Sequence, residues 1–259
     1  MTLDHATYCD QILRQSEELR SHLAGADLTA AVPTCPDWTL RQLAVHVGGA
    51  QRWATEIVRT EAVAPFSPDK VPGAGGPEGD DPAALDAWLA EGAENCAALL
   101  REVGPDRPVW SWTGPATSAF WARRMTHETL VHRADAAGAV GAAYTVPAEV
   151  GADTLDEWLD VLTFPRVFRS DDTKLGAPGH SLHLHAKDTG AQWFIELDDT
   201  AFTWRRAEAG THEKATVALH GPLADVLRVF YRRLPLDTPT VEILGDGAVL
   251  DTWLTATSF

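Results

Sequence analysis

Several features are scarce in this 259-residue sequence. It has three cysteines, Cys9, Cys35 and Cys96, and no C-x-x-C motif. An odd number of widely spaced cysteines argues against a disulfide framework and fits a reducing compartment. No run of about 18 apolar residues occurs, so no membrane-spanning helix is predicted. The N-terminus lacks the basic and apolar regions of a signal peptide. We therefore expect a cytoplasmic protein.

Positive charge is scarce as well. The sequence has 21 Lys and Arg against 37 Asp and Glu, which gives a net charge of −16. Such an acidic surface repels phosphate backbones and anionic lipid headgroups, so we expect neither nucleic acid nor a membrane as a partner. Hydrophobic residues make up 45% and charged residues 22% of the chain, which is typical of a globular protein and excludes a disordered chain.

The first half of the sequence has helical periodicity. Helices are predicted over residues 3–23, 40–57, 82–103 and 117–140. Thr39 and Gln42 form a capping-box pattern at the start of the second, and Pro82 suits the first turn of the third. Pro33 and Pro36, the segment 64–82 and the segment 104–115 predict loops. Four helices with short or medium connections predict an antiparallel bundle.

The period changes in the second half. After a helix predicted over 148–169, the segments 181–185 and 192–197 alternate strictly around a turn at 188–190, which predicts a β-hairpin. Further strands are predicted at 202–204, 215–219 and 241–244, and helices at 221–231 and 248–254. We therefore predict an N-terminal antiparallel four-helix bundle, residues 1–147, followed by a smaller C-terminal α+β domain, residues 148–259.

One set of side chains indicates metal chemistry. Glu128 and His132 are four residues apart and share a helix face, and Asp135 extends that face. His46 interrupts an apolar helix stripe, so it should face the interior and need a partner. These three, His46, Glu128 and His132, would leave a fourth position open, as in catalytic zinc sites. The alternative is an ordinary surface pair and a satisfied core histidine. His127 lies about 140° from His132 around the helix and cannot join them.

Two segments carry a family resemblance: VPTCPDWTLRQLAVHVGG at residues 32–49 and RMTHETLVHRAD at residues 124–135. They resemble the mycothiol-dependent maleylpyruvate isomerase family, as do LHLHAKDTGAQW at 182–193, VFYRRLP at 229–235 and VEILGD at 241–246. The resemblance implies a DinB-like four-helix bundle that binds a divalent metal, followed by an α/β domain.

The resemblance also implies roles for individual residues. His46, Glu128 and His132 match the family's three zinc ligands, although Ni²⁺ or Fe²⁺ also suits such donors. Arg233 matches an arginine that serves the family's active site. This chain reads Tyr-Arg-Arg at 231–233, where relatives often have Trp-Gly-Arg. Arg233 can grip a carboxylate with two hydrogen bonds; the alternative is a cation at a helix C-terminus.

The implied function needs a thiol. No cysteine lies beside the three ligands at a metal-binding spacing, so we expect an external thiol, mycothiol by resemblance, to be deprotonated by the metal. Its thiolate would add to a double bond that then rotates, as in a cis–trans isomerase, or would stay attached, as in an S-transferase. The substrate would be small and anionic or electrophilic. The alternatives are a non-catalytic metal-binding protein and a metal-dependent hydrolase on the same bundle.

Some residues have weaker assignments. Asp135 would orient His132 through a hydrogen bond, act as a fourth ligand, or be solvated. His183 and His185 share a strand face, where two imidazoles can bind metal but a polar sheet surface is favoured. Cys35 is expected to be a small buried residue, and Trp38 to pack where the chain enters the second helix.

Overall fold

The computed structural model describes residues 2–164, 173–207 and 214–257. The chain divides into two compact units, Met1–Tyr144 and Thr145–Phe259. The first unit is helical and the second combines helices with a sheet, which confirms the predicted fold class. Within the described ranges, no helix has both the length and the apolar character needed to cross a membrane.

Four long helices form the first unit. They are α1 (His5–Leu23), α2 (Leu40–Arg59), α3 (Pro82–Val103) and α4 (Ser118–Val140). Both α1 and α2 pack against α3 and α4. The predicted capping box is present: the Thr39 hydroxyl accepts from the Gln42 amide at 3.2 Å, and the Gln42 side chain accepts from the Thr39 amide at 2.8 Å. These bonds fix where α2, the helix that carries His46, begins.

Two segments predicted as loops contain short antiparallel hairpins instead. One pairs β1 (Ala31–Val32) with β2 (Cys35–Thr39), and the other pairs β3 (Pro108–Ser111) with β4 (Gly114–Thr117). Proline and glycine at these positions predicted loops, and strands of two to five residues are too short to show a period in the sequence. The segment 64–81 is irregular apart from a 3₁₀ turn at Pro68–Lys70, and Pro82 already belongs to α3.

The second unit holds a five-stranded mixed sheet. Its strands are β5 (Ser181–Ala186), β6 (Gln192–Leu197), β7 (Phe202–Arg206), β8 (Val217–Gly221) and β9 (Glu242–Gly245). Their order is β7-β6-β5-β8-β9; β5 and β8 are parallel, and the other pairs are antiparallel. The helices are α5 (Ala148–Leu162), α6 (Leu223–Phe230) and α7 (Gly247–Ala256). Helix α5 ends before the predicted 169, and residues 165–169 lie outside the described ranges.

The two faces of this sheet differ in character. We call one the leucine face, because its buried apolar side chains alternate along β5, β6 and β8: Leu182, Leu184, Trp193, Ile195, Val217 and Leu219. Helix α6 packs against β5 and β8. The residues between them form the histidine face, which carries His183, His185 and His220. The alternation of side chains along the strands therefore separates an apolar face from a face that carries three imidazole rings.

Helix α6 ends in a Schellman motif with an unusual residue. The Arg232 amide donates to the Val229 carbonyl at 2.9 Å, and the Arg233 amide to the Arg228 carbonyl at 2.6 Å. Such a motif needs a left-handed residue, usually glycine, just past the helix end. Arg232 fills that position with φ 59°. A Cβ in this conformation costs about 1–2 kcal/mol, so the turn before Leu234 is strained.

Replacing Arg232 should therefore reveal this strain. We expect Arg232→Gly to unfold with a free energy about 1 kcal/mol higher than Arg232→Ala, because only glycine adopts a positive φ without steric cost. The alanine variant is the matched control, since both changes remove the hydrogen bond from Arg232 to Thr255. Urea unfolding of both variants measures the difference. Equal stabilities would contradict the proposed strain.

Candidate metal centre

Helices α2 and α4 bring His46, Glu128 and His132 together. The Glu128 Oε1 atom lies 2.9 Å from His46 Nε2 and 3.3 Å from His132 Nε2. One donor atom from each side chain falls within 4.8 Å of the other two. The His132 side chain is 3% exposed, Glu128 19% and His46 37%. The cluster is therefore open to solvent on the His46 side and closed behind His132.

A buried guanidinium neutralises Glu128. Arg124, one helical turn before Glu128 on α4, is 2% exposed and places Nη2 3.1 Å from Glu128 Oε2. Burial alone would raise the pKa of Glu128, but the hydrogen bonds to His132 and His46 and the charge of Arg124 hold that pKa well below its usual range. Arg124 engages Oε2, and Oε1 faces the two imidazoles.

His132 is held from its other edge by Asp135. The Nδ1 atom of His132 lies 2.8 Å from Asp135 Oδ2, and the Thr34 hydroxyl donates to Asp135 Oδ1 at 2.6 Å. Burial opposes a charge on His132, yet the hydrogen bonds to Asp135 and Glu128 raise its pKa to about 9. Asp135 thus orients the ring so that Nε2 faces Glu128, an arrangement common around metal-binding histidines.

Cys35 lies closer to the cluster than its sequence position indicated. Its Sγ atom contacts Asp135 Oδ2 at 3.8 Å, and Cys35, His132 and Asp135 form a second group of potential ligands within 4.8 Å of one another. Sequence spacing gave no sign of this contact, and the expectation that Cys35 is buried was wrong, because the residue is of intermediate exposure. His132 belongs to both groups, with Nδ1 near Asp135 and Nε2 near Glu128.

Trp38, at the end of the hairpin β1–β2, covers the imidazoles. Its ring centroid is 4.7 Å from that of His46 and 6.0 Å from that of His132. The expected role, packing at the entry to α2, therefore has a further consequence: the indole forms a wall of the cluster. His127 is fully buried and has an edge contact with Tyr8, apart from the three candidate ligands.

Comparison with known families covers both units. Residues 9–137 match the family model described as the mycothiol maleylpyruvate isomerase N-terminal domain. Residues 149–252 match the family model described as the MDMPI C-terminal domain. The chain belongs to the mycothiol maleylpyruvate isomerase family. No curated protein matches the sequence.

Solved structures agree on the fold of this family. The crystal structure of the mycothiol-dependent maleylpyruvate isomerase is 17% identical, with a TM-score of 0.56, over 94% of this chain and 95% of that one. A histidine-to-alanine mutant of it is 16% identical, with a TM-score of 0.55, over 88% and 90%. At such identities the likeness concerns the architecture.

Arg233, the other predicted site residue, lies in the second unit. It follows the left-handed Arg232, and its Nη1 donates to the Tyr231 carbonyl at 2.7 Å. The φ of 59° at Arg232 is a left-handed conformation that glycine adopts without steric cost, and this turn sets the direction of Arg233.

Sequence reasoning missed Arg124 and Thr34 as neighbours of the cluster. Arg124 stands four residues before Glu128, so the helical pairing rule contained a signal for this contact. Thr34 and Cys35 reach Asp135 from about 100 residues away, across the bundle. No spacing rule within one helix predicts such a contact.

The raised pKa of His132 predicts how stability depends on pH. In an unfolded chain a histidine titrates near pH 6.5. The protonated His132 ring therefore stabilises the metal-free fold fully below about pH 6.5, and this contribution is lost as pH rises through about 9. We expect the free energy of unfolding after chelation to fall by up to about 3 kcal/mol across this range.

Urea unfolding at several pH values measures this loss. His132→Gln should remove most of the slope between pH 6.5 and 9. His180→Gln, which replaces a histidine of the second unit, should keep it. A wild-type chain with equal stability at pH 6.5 and 9 would contradict the assigned interactions of His132.

Proposed function

We propose that this chain is a cytoplasmic, metal-dependent isomerase that uses a low-molecular-weight thiol, mycothiol, on a small anionic substrate of the maleylpyruvate type. Its membership of the family supports this proposal. The observation that carries it is the convergence of His46, Glu128 and His132 from two helices. All three cysteines are free thiols, which supports a reducing compartment.

The three side chains fit a divalent ion. Two imidazole nitrogens and one carboxylate oxygen form a donor set that suits Zn²⁺ and also Ni²⁺ or Fe²⁺. The partial exposure of His46 leaves room for a further ligand on that side. An ion bound there would supply Lewis acidity that deprotonates a thiol, and the thiol would supply the nucleophile for reversible addition to a conjugated double bond.

The surrounding residues have supporting tasks in this proposal. Arg124 keeps Glu128 ionised, and Asp135 holds His132 with Nε2 toward the donor set. Trp38 shields the two imidazoles from water on one side. Cys35 donates to Asp135, so the chain's own nearest thiol is already engaged. An external thiol therefore remains the better candidate for the nucleophile.

Arg233 is the proposed anchor for the substrate carboxylate. Its guanidinium presents donors that match the two oxygens of a carboxylate. Attachment of the substrate through its carboxylate would hold one end still during rotation about the former double bond. This role rests on the family pattern of an arginine directly before Leu-Pro, which the chain keeps at 233–235.

Metal content tests the first half of the proposal. Chelator-treated protein dialysed against Zn²⁺ and analysed for elements should show one fewer bound ion in Glu128→Gln than in the wild type. The substitution preserves shape but removes the anionic ligand. Asp135→Asn should lower the affinity of the site for the same ion by about 10- to 100-fold, because it alters the group that orients His132.

The matched control for this test is Glu56→Gln. Glu56 is a carboxylate of α2 that pairs with Arg59 rather than with the cluster. Its loss should leave the metal content unchanged. If Glu128→Gln binds as many ions as the wild type, the proposed metal site is refuted.

Turnover tests the second half. Zinc-loaded protein with mycothiol should convert maleylpyruvate to its trans isomer, and omission of the thiol should abolish the reaction. We expect Arg233→Gln to lower kcat/KM by about 100-fold, because the loss of a charged pair of hydrogen bonds costs about 3 kcal/mol of transition-state stabilisation. The control variant is Arg232→Gln, which replaces the neighbouring arginine.

Three outcomes would contradict the proposed isomerase activity. A stable thioether product would indicate an S-transferase, and hydrolysis without thiol would indicate a hydrolase. Metal binding with no turnover of the maleyl substrate would leave a non-catalytic metal-binding protein. An unchanged kcat/KM in Arg233→Gln would contradict only the role of that arginine.

A further inference from the structure

A second cluster of imidazoles lies on the histidine face of the sheet. His185 and His220 are register partners on the parallel strands β5 and β8, and His183 is two residues before His185. The ring centroids are 6.0 Å apart for His183–His185, 5.5 Å for His183–His220 and 5.2 Å for His185–His220. His183 is only 7% exposed, so it is not the polar surface residue expected from its strand.

One nitrogen of this cluster lacks a partner. The Nε2 atom of His220 is buried and makes no hydrogen bond within the part of the chain that the structure describes. Buried polar atoms are nearly always bonded, so such an atom requires an explanation, and an absent ligand is one. His183 Nε2 lies 2.9 Å from the Gln192 Oε1 acceptor. The proton of His183 is therefore on Nε2, which leaves the Nδ1 lone pair for a ligand.

The spacing of the three rings fits a common ion. Imidazole nitrogens bind zinc at about 2.0–2.1 Å, which places an ion about 3.2 Å from each ring centroid. A circle through three points with the observed separations has a radius of about 3.2 Å, the same distance. As described, the donor atoms of these three rings are not gathered as closely as those of the bundle cluster. Rotation about the Cβ–Cγ bonds leaves the ring centroids nearly fixed, and an ion would require the nitrogens to turn toward the centre.

The surroundings of His220 favour its neutral form. Burial and the neighbouring His183, His185 and Lys187 lower the pKa of His220, and Glu242 only partly opposes this. Neutral imidazole is the form that binds a metal. Glu242, the register partner of His220 on β9, pairs with Lys187 at 2.9 Å. This pair neutralises the charge of Lys187 beside the cluster.

We propose that His183, His185 and His220 form a second metal site, for a divalent ion of the zinc or nickel class, on the sheet of the second unit. The site shares no residue with His46, Glu128 and His132, so it does not depend on the proposed function. Three neutral ligands suit Zn²⁺, Ni²⁺ or Cu²⁺ and disfavour Mg²⁺ or Ca²⁺, which prefer oxygen donors.

Metal counting on the whole chain tests this site. Chelator-treated protein is dialysed against Zn²⁺ and analysed for elements. The wild type should hold two ions, His220→Gln one and Glu128→Gln one. His180→Gln, a histidine of the same unit outside the cluster, should hold two. Circular dichroism confirms that each variant is folded, and His185→Gln serves as a second variant that should also hold one ion.

The counts distinguish the two sites. If His220→Gln and His185→Gln retain the wild-type count, the second site is refuted. A wild type with one ion, lost only in Glu128→Gln, refutes it too, whereas one ion lost only in His220→Gln supports it and refutes the bundle site. Histidine ¹⁵N shifts of the folded wild type provide a readout without mutation. Zn²⁺ should shift the His183, His185 and His220 signals, and unmoved signals would overturn the proposal.

Discussion

The Glu128 carboxylate is the contact on which the rest of the candidate centre depends. One oxygen faces imidazoles from two helices, and the other pairs with a guanidinium that is almost fully buried. A buried carboxylate or guanidinium is expensive unless its partners satisfy it. Each of these groups is therefore tolerated only because the others are present. Through its contact with His46, Glu128 of α4 links that helix to α2. The same carboxylate places a negative charge between the two imidazoles and Arg124.

This dependence explains why the neighbouring residues extend over several elements. Asp135 satisfies the remaining edge of His132, and Thr34 and Cys35 from the β1–β2 hairpin satisfy Asp135. The order of contacts thus runs from the hairpin to a carboxylate, to an imidazole and to a second carboxylate. Such a chain restricts ring orientation, because a change at one member leaves another unsatisfied.

The sequence predicts this centre only as far as local geometry reaches. Helical spacing places Glu128 and His132 on one face, and the capping box fixes where α2 begins. The interruption of an apolar stripe identifies His46. Contacts that close the centre from Thr34, Cys35 and Trp38 depend on how a short hairpin crosses the bundle, and no periodicity encodes that. The family resemblance supplied the connection between the two helices that spacing alone left open.

The same limit applies to the second unit. Strict alternation predicts the β5–β6 hairpin and places His183 and His185 on one face, yet His220 joins them only because β8 inserts beside β5 in parallel. Parallel neighbours are distant in sequence, so a pattern read along one strand cannot include them. The left-handed conformation of Arg232 could not be predicted either. It follows from the Schellman motif at the end of α6, and an arginine in the sequence does not indicate a positive φ.

Protons and a metal ion would compete for the same lone pairs in the candidate centre. In the chain as described, Glu128 is held ionised and His132 is held protonated, so the two form an ion pair beside Arg124. A cation that binds through His132 Nε2 must displace that proton, and the two carboxylates that stabilise the imidazolium would stabilise the ion in its place. The arrangement that supports the fold in the absence of metal is therefore already suited to a divalent cation, which is why stability and metal affinity should respond to pH in opposite directions between about 6.5 and 9.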